Sequence, residues 1–388
     1  MTDLTRRRTI LLALILAFCL SAGSALGQST RPQETRRAET LAPGIEHLEI
    51  HRGDPTDDPG RDHWIIHLLI LDTRHSRLAL ARAMDEIVGA ETTSSLASRH
   101  GALAAINGGY FRTTGTYRGE PTGVLAMGSK ILSEPLGRRS ALAISNAGDQ
   151  THVAIARINF KVEVIAEGKA RFPVSGINRP REENELIVFT PEFHRTTLTG
   201  PDGIEAIVEG GRIKALSDGA GSQPIPNEGY VLSASGKARQ WTRENLKPGA
   251  QVEIKSKLNA EPPLPVAAEF IVGGGPLLVA GGKVAASTDS EQFSPDFSHK
   301  RHPRTALGIR SDGKLLLATV DGRQPQKSVG MTIEELTALM IELGCVEAIN
   351  LDGGGSTTMV VNSRVVNNPS DATGERPVSD ALLVFPRK

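Results

Sequence analysis

Only two cysteines stand among the 388 residues, and aromatic side chains supply just 4% of them. One of the two, Cys19, lies in an N-terminal segment that reads as a removable signal. Its loss leaves Cys345 alone, so no intramolecular disulfide is expected in the processed chain and stability has to come from a packed core. Such a scarcity of aromatics argues against a stacking platform for nucleobases. Net charge is lacking too: Lys and Arg number 44, and so do Asp and Glu. That balance offers nothing to nucleic acid or to an anionic membrane. No cluster of His and Cys supports zinc. Long apolar runs are missing as well, since Thr9 to Leu20 is too short for a comfortable membrane span.

What the N-terminus does carry is an address. Arg6, Arg7 and Arg8 precede that apolar run, and Ala25-Leu26-Gly27 closes it, so residues 1–27 read as a signal peptide. The expectation is an exported chain, periplasmic or extracellular, with no stable membrane anchor once the signal is cleaved. Residues 28–60 read as a flexible segment. The acidic stretch 53–62 is an ordinary turn, or alternatively a calcium loop.

Beyond this point strand patterns dominate. The run His63 to Asp72 alternates into an apolar strand, and Arg77 to Arg82 is expected to pair with it. Short strands broken by Gly, Pro and Asn, at 185–190, 204–209, 230–233 and 251–257, mark residues 159–261 as a β-rich insertion. Further strands follow at 270–272, 277–279, 305–309, 315–320 and 346–351. One helix is well signalled: Thr332 and Glu335 have capping-box spacing, and Ile333, Leu336, Leu339, Met340 and Leu343 form an apolar stripe. The pattern predicts an α+β fold with a mixed, mainly antiparallel sheet core, few helices and that insertion, the main module being 61–158 with 262–388.

Two segments carry chemistry. Asn350-Leu351-Asp352-Gly353-Gly354-Gly355-Ser356-Thr357-Thr358 sets a carboxylate and an amide beside three glycines and three hydroxyls. Glycines let backbone N–H groups converge on an anion, while Asp352 is available for a proton, a sugar hydroxyl or a metal; a tight hairpin connection is the plainer alternative. Ala104-Ala105-Ile106-Asn107-Gly108-Gly109-Tyr110-Phe111 has the same make-up. Each follows a helical stretch closed by glycine, at Gly101 and Gly344. The two loops are expected to line one cleft.

These segments belong to a longer series: AINGGYF (105–111), IVGGGPLLV (271–279), HPRTALGI (302–309), VDGR (320–323), SVGMTIEELTALMIELG (328–344), NLDGGGSTTMV (350–360) and ERPVSDALLV (375–384). In content and order they resemble the phosphodiester glycosidase family, over about residues 60–158 and 262–388. The resemblance implies a hydrolase that cleaves the glycosidic bond of a sugar-1-phosphodiester, in an envelope glycan or glycoconjugate. A non-catalytic envelope protein that binds phosphorylated glycans is the competing reading, and hydrolysis on the phosphate side is a third.

Under the first reading Asp352, Asp321, Asn107 and Arg304 carry catalysis. Arg304 would fork onto phosphate, with N–H groups of Gly353 to Ser356 or of Gly108 and Gly109 as a nest for the remaining charge. Tyr110, Asn350, Gly354, Gly355, Thr357 and Arg376 complete the substrate contacts. Each has a plainer account: a turn for Asp321, an Asx turn for Asn107 and Asn350, core packing for Tyr110, an ion pair with Glu375 or Asp371 for Arg376. Glu120 is a weaker carboxylate candidate, more simply an exposed residue, and His302 is a base or a surface histidine. Asp380 stands where the family often has Asn, which leaves its role open. Arg179 and Arg181 are phosphate contacts or, more simply, a solvated basic turn. The sequence assigns no cofactor, and a divalent cation such as calcium at Asp352 is an option whose ligands it leaves unknown.

Overall fold

Apolar residues on both faces of the central strands demand cover on both sides, and the fold supplies it in layers. The computed structural model describes residues 34–53, 62–128, 130–285 and 287–387. The expected signal and most of the acidic turn lie outside them. Eight strands form one sheet in the order Glu34–Ala42, Ile45–Arg52, Trp64–Leu71, Leu315–Val320, Arg304–Arg310, Cys345–Asn350, Leu277–Ala280 and Lys283–Val284. On one face Ile66, Leu68, Ala306, Leu316 and Ala318 pack against Ile333, Leu336, Leu339 and Met340 of the helix Ile333–Glu342. Burial of four such side chains stabilises by roughly 1.5–3 kcal/mol each before entropy is counted. The helix starts as expected, with Thr332 Oγ1 accepting from Glu335 N at 3.1 Å and Glu335 Oε2 accepting from Thr332 N at 2.9 Å.

The intervening residues Leu69, Leu71, Leu307, Leu317 and Ile349 point the other way. They meet Leu78, Leu80, Ile106, Met359, Leu382 and Val384. These belong to a five-stranded sheet in the order Arg364–Val365, Met359–Val361, Ala104–Asn107, Asp380–Pro386 and Ser76–Arg82. The expected partnership of Arg77–Arg82 with the preceding strand is therefore corrected. Trp64–Leu71 is flanked by Ile45–Arg52 and Leu315–Val320, whereas Ser76–Arg82 crosses to pair with the C-terminal strand.

A second correction concerns 28–60, since Glu34–Ala42 and Ile45–Arg52 form a paired hairpin. The first of these strands is an exposed, charge-rich edge, a composition that suppresses edge-to-edge association and also hides the strand from apolar patterning. Within 159–261, strands Gly176–Ile177, Leu186–Phe189, Gly229–Ala234, Ile204–Glu209 and Arg212–Asp218 make a separate five-stranded sheet. The helix Gly236–Asn245 packs there through Ala238 and was not foreseen. Val252–Glu261 instead pairs with His152–Ala166 in a seven-stranded sheet whose other strands run Ala170–Pro173, His152–Ala166, Ser140–Ser145, Phe270–Gly273, Leu125–Met127 and Lys130–Ser133. Strand pairs are antiparallel among the described residues apart from Gly176–Ile177 beside Ile187–Val188. No helix among them is long and apolar enough to cross a membrane.

Candidate active site

Strands Ala104–Asn107 and Cys345–Asn350 belong to different sheets of the sandwich, and their ends converge. Asp352 N donates to Gly108 O at 3.1 Å, and Gly108 N donates to Asp380 O at 3.0 Å. The two glycine loops and the start of the C-terminal strand thus meet at one place. Glycine is needed there because a Cβ on Gly108 would lie 2.0 Å from Asp380 Oδ1.

Two carboxylates flank this contact. Asp352 accepts Gly353 N on Oδ1 at 2.9 Å. Burial, reinforced by the charge of Asp380, pushes its pKa up to about 6, against the pull of Ser356, Gly353 N–H and Arg376. Asp380 is buried, with Oδ1 accepting Gly109 N at 2.8 Å and Oδ2 accepting Ser379 Oγ at 2.5 Å. Burial raises its pKa as well, with those two donors opposing. The sequence pointed to Asp352 by its motif. Asp380 it left open, and only the pairing of its strand with Ala104–Asn107 sets it against the glycines.

Cations gather around the triple glycine. Arg376 grips Asp371 with two parallel bonds of 2.7 and 3.0 Å, and a Cβ on Gly355 would lie 2.1 Å from its Nη2. Arg323, exposed and at φ 59°, reaches over Gly354, where a Cβ would lie 3.0 Å from its Nη2. The same nitrogen is 3.2 Å from His302 Nδ1. Burial and then the charges of Arg304 and Arg323 lower the His302 pKa. Arg323 closes the VDGR motif, and its residue type gives no signal of the left-handed backbone that turns it over the glycines.

Several expected contacts point inward instead. Most of the backbone nest is spent: Gly353 N serves Asp352, Gly354 N serves Pro303 O at 2.8 Å, Ser356 N serves Gly353 O at 3.2 Å, and Gly108 N and Gly109 N serve Asp380. Asn107 is buried and clasps three segments, accepting Thr305 Oγ1 at 2.8 Å and Thr358 N at 3.1 Å while donating to Asp352 O at 2.7 Å. Arg304, 1% exposed, gives Nε to Met331 O and Nη2 to the carbonyls of Phe297 and Lys300. Burial lowers its pKa to about 10, so it stays cationic at neutrality. Asp321 is fully buried and fastens the turn at Asn367 and Asn368 through four contacts of 2.7 to 3.1 Å. Burial raises its pKa too. Asn107 and Arg304 therefore position the site's backbone, and Asp321 stands one layer behind it, linked through Asn367 to Thr357 O.

Asn350 donates to Tyr110 Oη at 2.7 Å, and Tyr110 donates onward to Gly275 O at 2.7 Å. Buried polar atoms remain without a partner among the described residues at Asn350 Oδ1 and Thr358 Oγ1. Such atoms are satisfied when a ligand or water arrives. Thr357 is buried, its hydroxyl 3.4 Å from Thr305 Oγ1. Glu120 is buried against Arg112 rather than exposed. Arg179 is held by Glu134 and Glu185 and Arg181 by Asp202, so that turn is neither solvated nor free. Cys345 is buried, and burial pushes its thiol up to about 12. Among the described residues no group of three or more His, Cys, Asp or Glu is placed to hold a metal ion.

Residues 202–385 match the profile of the family described as phosphodiester glycosidase. Over 84 residues the chain is 45% identical to the SPbeta prophage-derived protein YomE of Bacillus subtilis, covering 22% of this chain and 13% of that protein. Over 68 residues it is 43% identical to N-acetylglucosamine-1-phosphodiester alpha-N-acetylglucosaminidase of Bos taurus, covering 18% of this chain and 12% of that enzyme. Both matches span far less than two thirds of the relative. A crystal structure of a Burkholderia pseudomallei protein superposes with a TM-score of 0.82 at 24% identity, covering 94% of this chain and 99% of that one, and so shares the fold.

Proposed function

We infer, from the kinship of this chain with the phosphodiester glycosidase family, that it is an exported hydrolase acting on the glycosidic bond of a sugar-1-phosphodiester in an envelope glycan or glycoconjugate. The observation that carries this reading is the placement of Asp352 and Asp380 on either side of the Gly108–Gly109 turn, with Arg323 and Arg376 over the triple glycine. Export rests on the Arg6–Arg8 and Thr9–Leu20 pattern.

The chemistry follows from the bond. A phosphate monoester leaves readily, so little acid assistance is needed and the task is to stabilise an oxocarbenium-like sugar and the departing charge. Water attacks the anomeric carbon and gives a proton to a carboxylate. The bond from that carbon to the bridging oxygen breaks, and its electron pair leaves with the phosphate. Asp352, mostly ionised above pH 6, suits the role of base. Asp380, fixed by Gly109 N and Ser379, adds negative charge beside it. Asn107 holds Asp352 in place by its backbone.

Asp352→Asn tests the reading with N-acetylglucosamine 1-(methyl phosphate) as probe. The expected result is a kcat/KM lower by about 10²–10⁴-fold with probe binding within a few-fold of wild type. A wild-type protein that binds the probe and releases no sugar would overturn it in favour of a non-catalytic glycan-binding role.

A further inference from the structure

Resting on the hydrolase reading above, we propose that Arg139 is a substrate-binding residue that takes the phosphate group of the phosphodiester. Three candidate cations are already spent. Arg376 is forked onto Asp371, Arg112 is paired with Glu120, and Arg304 has Nε and Nη2 on backbone carbonyls. Arg139 differs from all three, because among the described residues its guanidinium makes neither an ion pair nor a side-chain hydrogen bond.

Its guanidinium is held by rings instead. It stands 4.2 Å from the centroid of Phe293 and 5.6 Å from that of Tyr110. Phe293 stacks on Phe297 at 4.8 Å, and Arg304 caps the far end 4.8 Å from Phe297. Stacking fixes the plane of a guanidinium while leaving the N–H donors on its edge free, and that edge matches two oxygens of a phosphate. The turn that carries it is anchored next door. Glu291 accepts Ser140 N and Ser140 Oγ at 3.0 Å each, so this acid is engaged with the neighbouring residue. Arg139 is half-buried, a position where a charge-assisted bond is partly shielded from water without being sealed from a ligand.

Tyr110 ties this cation to the glycine turns. Its hydroxyl accepts from Asn350 two residues before Asp352, and its ring faces Arg139. Asn350 Oδ1, buried and unpartnered, lies on the same path. The site thus has an anionic side at Asp352 and Asp380 and a cationic side reached across Tyr110, the polarity that a sugar-1-phosphate asks for.

Two measurements separate this proposal from the reading it rests on. With N-acetylglucosamine 1-(methyl phosphate), Arg139→Gln should raise KM about 10–100-fold with kcat within about threefold, the loss expected for one charge-assisted contact. Arg139→Lys, which keeps charge and loses the planar fork, should fall between, and it serves also if the Gln variant fails to fold. Calorimetric titration with inorganic phosphate needs no turnover: Arg139→Gln should weaken phosphate binding by a similar factor. Should the wild type bind phosphate through Arg139 yet hydrolyse nothing, the inference stands and the hydrolase reading falls. Unchanged phosphate affinity in Arg139→Gln, or no phosphate binding by the wild type, overturns the inference itself.

Discussion

A carboxyl whose pKa is lifted to about 6 costs the folded state stability whenever it is ionised, and Asp352 is such a group. The ordinary value for an aspartate is 3.8, so the folded protein holds this proton more tightly than the unfolded chain does. The penalty is therefore absent below about pH 4, grows as pH rises, and is complete above about pH 6, where it amounts to about 3 kcal/mol. Asp352→Asn should accordingly unfold at a higher temperature than wild type at pH 7.5, with the difference vanishing near pH 4. A gap that does not change with pH would contradict the assigned burial. Residue type told less about the neighbours. Asn107 and Arg304 sit in motifs that mark the site, yet a motif does not say where an amide or a guanidinium sends its donors. Both send them into the backbone. Asp380 acquires its place from the register of a strand that pairs across more than two hundred residues of chain.

Elements carry the glycines. Gly108→Ala would place a methyl 2.0 Å from Asp380 Oδ1, so either the loop or the start of strand Asp380–Pro386 must shift. The expected outcome is a stability loss of about 1–3 kcal/mol and a fall in activity of at least about tenfold, read by thermal unfolding and by probe hydrolysis. Wild-type activity in that variant would separate the glycine turn from the chemistry. At this scale much was legible. The helix Ile333–Glu342 and the strands Ile204–Glu209 and Leu315–Val320 emerge close to their expected bounds because periodicity and capping are local signals. Partnership was not legible, as Ser76–Arg82 shows by crossing to the other sheet. The helix Pro295–His299, whose Phe297 supports Arg304, had a readable start in Ser294 followed by Pro295.

In the whole molecule the site lies where two sheets of a sandwich end together, and the eight-stranded sheet carries a second titrating feature away from it. His47 and His67 stack at 5.4 Å, with Nε2 of the former 3.2 Å from Nδ1 of the latter. Burial and then the charge of His47 hold the His67 pKa at about 4, below the ordinary histidine value of 6.5. Here the unfolded chain binds the proton more tightly. Stability is fully present above pH 6.5 and is lost as pH falls toward 4, by about 3 kcal/mol from this residue. His67→Leu should flatten that acid limb of the stability profile, and an unchanged limb would place the acid sensitivity elsewhere. The mainly antiparallel α+β plan followed from strand patterning, whereas the apposition of these two sheets depends on contacts between segments far apart in sequence. Hydrolysis of N-acetylglucosamine 1-(methyl phosphate) in isotopically labelled water reports which bond breaks. Label in the released sugar, with none in methyl phosphate, is the predicted result. Label in the methyl phosphate instead would mean attack at phosphorus and would contradict the account.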